Sequence, residues 1–389
     1  MKVLLLTLIL VFCFTQVSTE KKLVLFQTFT RHGARTPIYY IKGTDALWLC
    51  TNMFNEIPSI NNKGTSQTIP YIFQKQFQMD GGQYKGNCTS GMLTTQGASE
   101  HRALGHYFHE TLVNTGFLRD KYDPNEIFIR ACDDGRIRQS AESLFTGLYG
   151  DYVQESELKE GASNTAQVVP VHVMETSLEY LNPNTKLCPH LGTLITKRHS
   201  TKEWKDYHDG LKDLEQKMVD IFGTEDLPPL GHIYDTLEAR EAHDVPFPEG
   251  LTSDIYQQLS EVMFWEWNYT NSDLEISVLS LGLGMRDILQ QMVLKINSLS
   301  DLKFIHYSGH DSTVSPIMYM LGFQIGQPPY ASHTDIQLYK ETDQYYVKVS
   351  YLKKDKILPW CGELYCPFET FYKYMMDILP VSYYQTCHP

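Results

Sequence analysis

The chain is 389 residues long, with 42% hydrophobic and 12% aromatic residues, enough apolar material to bury a large core in one big domain or two moderate ones, which excludes a disordered chain. Lys and Arg number 33 against 46 Asp and Glu, a net charge of -13, which excludes nucleic acid or an anionic membrane as the main partner and makes any anion site a local one. An acidic surface stays closer to neutrality in an acidic compartment, so a lysosome-like lumen suits it.

Met1 and Lys2 precede a mostly apolar run over residues 3–14, followed by Gln16, Val17, Ser18 and Thr19. This is the pattern of a signal peptide, expected over residues 1–19, and its apolar part is too short to span a bilayer. The competing reading, a buried N-terminal strand, does not account for Lys2 ahead of the run or the small residues behind it. Export implies an oxidising compartment. Loss of Cys13 with the leader leaves seven cysteines, Cys50, Cys88, Cys132, Cys188, Cys361, Cys366 and Cys387, an odd number that leaves at least one thiol unpaired or paired between chains. Asn87-Cys88-Thr89 and Asn268-Tyr269-Thr270 are glycosylation sequons and support export weakly. No later stretch offers about 20 uninterrupted apolar residues, and Gln385-Thr386-Cys387-His388-Pro389 carries no hydrophobic tail. The mature protein is therefore expected to have no membrane anchor and to be secreted or held in a lysosome-like lumen.

Residues 22–30 (KLVLFQTFT) read as a buried strand that breaks off at Arg31-His32-Gly33. Helical patterning follows over 99–113. Residues 126–130 form a second strand, then a polar turn through Asp133, Asp134 and Gly135, then a helix over 136–149. The middle differs, with Pro-containing loops such as Leu227-Pro228-Pro229-Leu230 and helical segments such as 202–222. A helix over 281–299 leads to a third strand, 303–307, which runs into Ser308-Gly309-His310-Asp311 and a helix over 313–321. Polar–apolar alternation over 335–340 and 345–351 predicts a late hairpin. Alternating strands and helices predict an α/β fold with a parallel sheet: a catalytic domain of residues 20–150 and 272–389, with a mostly helical cap over 151–271 inserted into it. Ligands in such sheets bind beyond the carboxyl ends of the strands, where all three strands have charged loops.

The loop Arg31-His32-Gly33-Ala34-Arg35-Thr36-Pro37 sets two guanidiniums around one imidazole. Guanidiniums bind phosphate oxygens with paired hydrogen bonds, and their charge lowers the histidine pKa, keeping a ring nitrogen free to attack phosphorus at mildly acid pH. A lone Arg-His pair would more often be a solvated basic loop; seven such residues at a strand end are harder to explain that way. Arg130 ends the second strand, where it could reach the same pocket, although Asp133 and Asp134 offer it an ordinary carboxylate partner. His310 adds a phosphate donor and Asp311 an acid for the leaving oxygen, its pKa expected to be raised beside a bound phosphate. Asp311 could equally cap a helix. His101, His106 and His109 share a predicted helix without forming an HExxH pair, so neither a metal nor another cofactor is expected. The aromatic stretches at 264–269 and 372–376 read as packing.

The loop at 31–37 resembles the RHGxRxP signature of the histidine acid phosphatases, and Ser308-Gly309-His310-Asp311 resembles their distal HD motif. Similarity to the lysosomal and prostatic enzymes continues through Leu93-Thr94-Thr95-Gln96-Gly97, Ile129-Arg130, Gln327-Pro328-Pro329-Tyr330-Ala331-Ser332, the 361–366 segment and Pro367. The resemblance implies a phosphoglycerate mutase-like α/β sandwich with an inserted helical domain, and a metal-independent hydrolysis of phosphate monoesters. It implies a phosphohistidine intermediate on His32, a phosphate pocket of Arg31, Arg35, Arg130 and His310, and Asp311 as proton donor. By the same resemblance Cys188 pairs with Cys387 and Cys361 with Cys366; Cys50 with Cys88 is the third bridge we expect, leaving Cys132 as the odd thiol. His333 stands where the vertebrate enzymes have a cysteine, which puts their disulfide there in doubt. The family also suggests a homodimer. The alternative is a secreted anion-binding protein with incidental catalysis, against which stands the presence of every expected catalytic residue. A mutase is disfavoured by export, and a phytase by the lack of a Lys and Arg cluster for a polyphosphate. Substrate specificity is expected in the cap and in the loop over 39–61.

Overall fold

The computed structural model describes residues 20–41, 43–50, 84–150 and 169–389. The expected leader, part of the 39–61 loop and the first part of the expected cap, 151–168, lie outside the described residues.

Lys22–Arg31 (β1) is covered on both faces from Leu25 onward, which is why it reads as a continuous run rather than an alternating one. Leu47–Trp48 (β2) and Lys85–Gly86 (β3) form a separate parallel ribbon. Ile127–Ala131 (β4), His172–Val173 (β5) and Phe304–Gly309 (β6) are parallel to β1 in the main sheet. His333–Glu341 (β7), Gln344–Tyr351 (β8), Lys354–Lys356 (β9) and Cys366–Pro367 (β10) add antiparallel strands. The order is β10-β8-β7-β1-β6-β4-β5, with β9 on β8. Register sets Arg31 opposite Gly309 and Ala131 opposite Ser308, so the carboxyl ends of β1, β6 and β4 are level.

Alternate residues of these strands face opposite layers. Phe26, Ile127, Ile129 and Phe304 pack against Thr95–Phe108 (α1) and Gly135–Leu148 (α2). The helices Pro189–His199 (α3), Lys202–Asp209 (α4), Lys212–Phe222 (α5), Leu230–Glu241 (α6) and Ser253–Asn271 (α7) follow. Leu274–Ile296 (α8), Asp311–Met320 (α9) and Phe368–Ile378 (α10) cover Leu25, Phe29, Ile305 and Tyr307 on the other face, and Tyr383–Cys387 (α11) ends the chain. Three layers result, helix on sheet on helix.

Helices α5, α6 and α7 share their own core, including Leu214, Met218, Ile233, Leu237 and Leu259. The segment expected as helical over 202–222 is two helices separated at Gly210 and Leu211. The sheet also reaches past residue 150: His172 of β5 pairs with Arg130 of β4, although it falls in the range assigned to the cap.

The disulfides are Cys50–Cys88, Cys188–Cys387 and Cys361–Cys366, and Cys132 is a buried free thiol. Among the described residues no helix is long and apolar enough to cross a membrane. Of the two sequons, Asn87 is exposed, with its side-chain oxygen accepting from the Cys50 N–H, whereas Asn268 is half-buried and its side-chain oxygen accepts from the Tyr319 hydroxyl and the Gly326 N–H.

Candidate active site

The loop after β1 is pinned from three sides. The His32 N–H donates to the Gly309 carbonyl at 3.0 Å, the Ala331 N–H donates to the His32 carbonyl at 3.1 Å, and the Gly33 N–H donates to Ser140 Oγ at 3.1 Å. The first turn of α1 presses against it so closely that a Cβ on Gly33 would lie 2.2 Å from the Gly97 carbonyl oxygen, and one on Gly97 2.1 Å from that of Ala34. Only paired glycines permit that approach. Leu93 bridges to Arg35, and Thr94 caps α1 while its hydroxyl donates to the Ala34 carbonyl, which gives the 93–97 motif a positioning task.

His32 Nδ1 lies 2.9 Å from the Gly33 carbonyl oxygen. A carbonyl only accepts, so Nδ1 carries the proton and Nε2 keeps its lone pair. Burial, then the charges of Arg136, Arg35 and Arg31, hold the His32 pKa well below its ordinary value, so the imidazole stays neutral in acid. The His310 ring stands perpendicular to it, centroids 5.8 Å apart. His310 Nδ1 faces Arg136 Nη2 at 3.4 Å and its Nε2 faces Asp134 at 3.3 Å. The bond from His310 brings the Asp134 pKa down to about 2 despite burial.

Three guanidiniums converge beside this pair. Arg31, fully buried, donates to both oxygens of Glu238 at 3.2 Å, lies 3.3 Å from Asp311 and stacks on Tyr330 at 4.1 Å. Arg35 makes a two-pronged contact with Asp235 at 2.6 and 3.3 Å. Asp235 and Glu238 both come from α6, so that helix orients both arginines. Arg136 contacts Asp134 only at 3.7 Å, which leaves it the least neutralised of the three. Among the described residues, the buried Nε–H of Arg31, of Arg35 and of Arg136 has no hydrogen-bond partner, a donor arrangement suited to an oxyanion.

Arg136 corrects the sequence reading, which gave its place to Arg130. The Arg130 guanidinium turns away from the pocket and binds buried Glu179 at 2.7 and 2.8 Å, because Asp133 is taken by Arg138 and Asp134 by His310. Asp311 lies just beyond the end of β6 as expected, but as the first residue of α9, which starts two residues before the expected 313, and His310 rather than Asp311 is the N-cap residue. The expected rise in the Asp311 pKa belongs to the phosphate-bound site. Burial would raise it, but Arg31 and the Gln327 amide, which donates to Oδ2 at 3.0 Å, outweigh burial and hold it below the usual range without a ligand. Arg136 carried a sequence signal all the same: like Asp311, it lies in the first turn of the helix after a parallel strand, and both line the pocket.

His32, Arg35, Arg136, His310 and Asp311 line one end of a cavity of about 370 Å³, with Arg31 behind them. Such a pocket, at the switch between parallel strands, belongs to an enzyme that handles a phosphoryl group. Residues 22–352 match the family described as the histidine phosphatase superfamily, branch 2; the chain belongs to that family and is a phosphatase. It is 29% identical to counting factor 60 of Dictyostelium discoideum over 94% of this chain and 88% of that one. It is 27% identical to the prostatic acid phosphatase of Homo sapiens over 76% and 79% of the two chains. Among solved structures, the apo phytase of Hafnia alvei superposes with a TM-score of 0.63 at 14% identity, covering 94% of this chain and 98% of that one.

Proposed function

We propose that the chain is an exported acid phosphatase that hydrolyses phosphate monoesters through a phosphohistidine on His32. The observation that carries the mechanism is the Nδ1 contact to the Gly33 carbonyl, which leaves Nε2 unprotonated toward the cavity. The substrate phosphoryl group is held by Arg31, Arg35, Arg136 and His310. Nε2 attacks phosphorus, the bond from phosphorus to the ester oxygen breaks, and that oxygen takes a proton from Asp311. In the second half Asp311 takes a proton from water as the water attacks phosphorus. The bond from phosphorus to nitrogen then breaks, phosphate leaves, and neutral His32 is restored. The cations offset charge on the equatorial oxygens throughout.

Relatives named acid phosphatases support the monoester and the acid range. Three disulfides support an oxidising compartment, and the setting of the two sequons favours Asn87 over Asn268 as a glycan site. The test is phosphate release from an aryl phosphate at about pH 5 with EDTA present, comparing wild type with His32→Ala and trapping label from the phosphoryl group on the protein. Turnover and labelling by wild type alone are expected. A folded but inactive wild type would instead favour an anion-binding protein.

A further inference from the structure

The cavity continues beyond the phosphate groups, between the loop after β1 and helices α6 and α7, and its outer wall has a different chemistry from its floor. Tyr39 and His232 stack ring on ring, centroids 3.9 Å apart, and Pro229, Met263 and Trp267 add apolar surface. Glu266 of α7 is set into this wall with its side chain 23% exposed. Gly231 makes room for it: a Cβ there would meet Glu266 Oε2 at 3.3 Å and Met263 Cε at 3.2 Å.

Among the described residues no lysine or arginine forms an ion pair with Glu266. Tyr207 and His208 come from α4, and His232 and Asp235 from α6. His208 Nε2 stands 3.4 Å away, and burial lowers the pKa of both His208 and His232. Asp235 is committed to Arg35. Among the described residues no lysine lines the cavity, and Arg35 and Arg136 lie at the phosphate end.

We propose that the outer wall is a leaving-group subsite for an amine cation, with Glu266 as the specificity-determining residue, so that phosphate monoesters of amino alcohols are preferred and polyphosphorylated esters rejected. The proposal rests on the monoester reading above. A ligand ammonium supplies the counter-charge that the wall denies Glu266, as a charge-assisted hydrogen bond in a partly desolvated setting, and the faces of Tyr39 and Trp267 suit a cation. A polyanion would meet Asp235 and Glu266 and, among the described residues, no lysine to receive its outer phosphates. Burial pushes Glu266 up to about 7; a bound cation lowers it again, so the preference strengthens as pH rises toward neutrality.

The experiment compares kcat/KM for 2-aminoethyl phosphate, n-propyl phosphate and myo-inositol hexakisphosphate at two pH values on the acid side of neutrality. Wild type is expected to favour the amine over the alkyl ester by about tenfold, the scale of one added charge-assisted contact, with the hexakisphosphate poorest and the ratio larger at the higher pH. Glu266→Gln should bring the ratio near unity and Glu266→Lys should invert it. A wild-type ratio near unity overturns the proposal whether or not the variants fold, as does a ratio that survives in folded Glu266→Gln. Hydrolysis of none of these esters, nor of an aryl phosphate, overturns the monoester reading and this proposal with it.

Discussion

Asp311 is an acid in a setting that favours its conjugate base. With Arg31 at 3.3 Å and the Gln327 amide at 3.0 Å, the ligand-free carboxyl is ionised at the acid pH where the enzyme is expected to work. The proton must then enter with the substrate. A phosphate monoester has its second pKa near 6 and binds below that value as a monoanion. Its negative charge competes for Arg31 and lies beside Asp311, and both effects raise the carboxyl pKa toward proton uptake. Above about pH 6 the substrate arrives as a dianion without the proton, and ionised Asp311 repels it. The expected profile of kcat/KM therefore falls above about pH 6, following the ester rather than Asp311. Asp311→Asn separates the roles. With an alkyl ester, whose leaving oxygen needs the proton, the loss in kcat should be about 10²–10⁴-fold; with a nitrophenyl ester it should be far smaller. Equal losses on both esters would remove Asp311 as the proton donor.

The strand–turn–helix unit explains both what was legible at the site and what was missed. Arg31, His32, Arg35, His310 and Asp311 announced themselves because a short apolar run stops abruptly at charged residues. The same rule chose Arg130, since it ends the expected strand over 126–130, but it lies within β4, which runs on to Ala131, and its side chain binds Glu179. Glu179 could not be recognised in advance, because it lies 49 residues away and pairs only through the fold. Asp235 and Glu238 were invisible for a similar reason: as helix residues in the middle of the chain they carried no motif. The two arginines are therefore expected to fail differently. Arg136→Ala should lower kcat/KM by about 10²–10³-fold, the scale of one removed transition-state donor, with little change in the denaturation midpoint. Arg130→Ala leaves a buried carboxylate unpaired, at a cost of about 3–5 kcal/mol. Glu179 also accepts the N–H groups of Tyr180 and Leu181, beside the start of α9, so the lost pair loosens that segment. Its folded fraction should retain far more activity than Arg136→Ala. Urea melts and kinetics on the same preparations decide the matter, and the reverse pattern would return Arg130 to the pocket.

At the scale of the whole molecule, the α/β class was readable from alternating strands and helices. How the pieces are tied together was not, because a disulfide is a contact between distant positions and spacing alone leaves many pairings open. Cys188 is the N-cap residue of α3 and Cys387 ends α11, 199 residues apart, and both are buried with Leu191, Ile276 and Leu279. This bridge holds the C-terminal end of the chain onto α3 and α8. Cys361–Cys366 spans only 5 positions and closes a local turn. If cross-links act mainly by restricting the unfolded chain, the long loop stabilises by about 5 kcal/mol and the short one by about 2 kcal/mol. The paired change Cys188→Ala with Cys387→Ala should therefore lower the denaturation midpoint well beyond Cys361→Ala with Cys366→Ala. It should do so without moving the pH profile of the surviving enzyme, because neither cysteine lines the cavity. If the short bridge proved the costlier to remove, native packing around residues 361–366, rather than chain entropy, would be its main contribution. Trp360, which stacks on Tyr374 of α10 at 4.0 Å, would then be the first contact to examine.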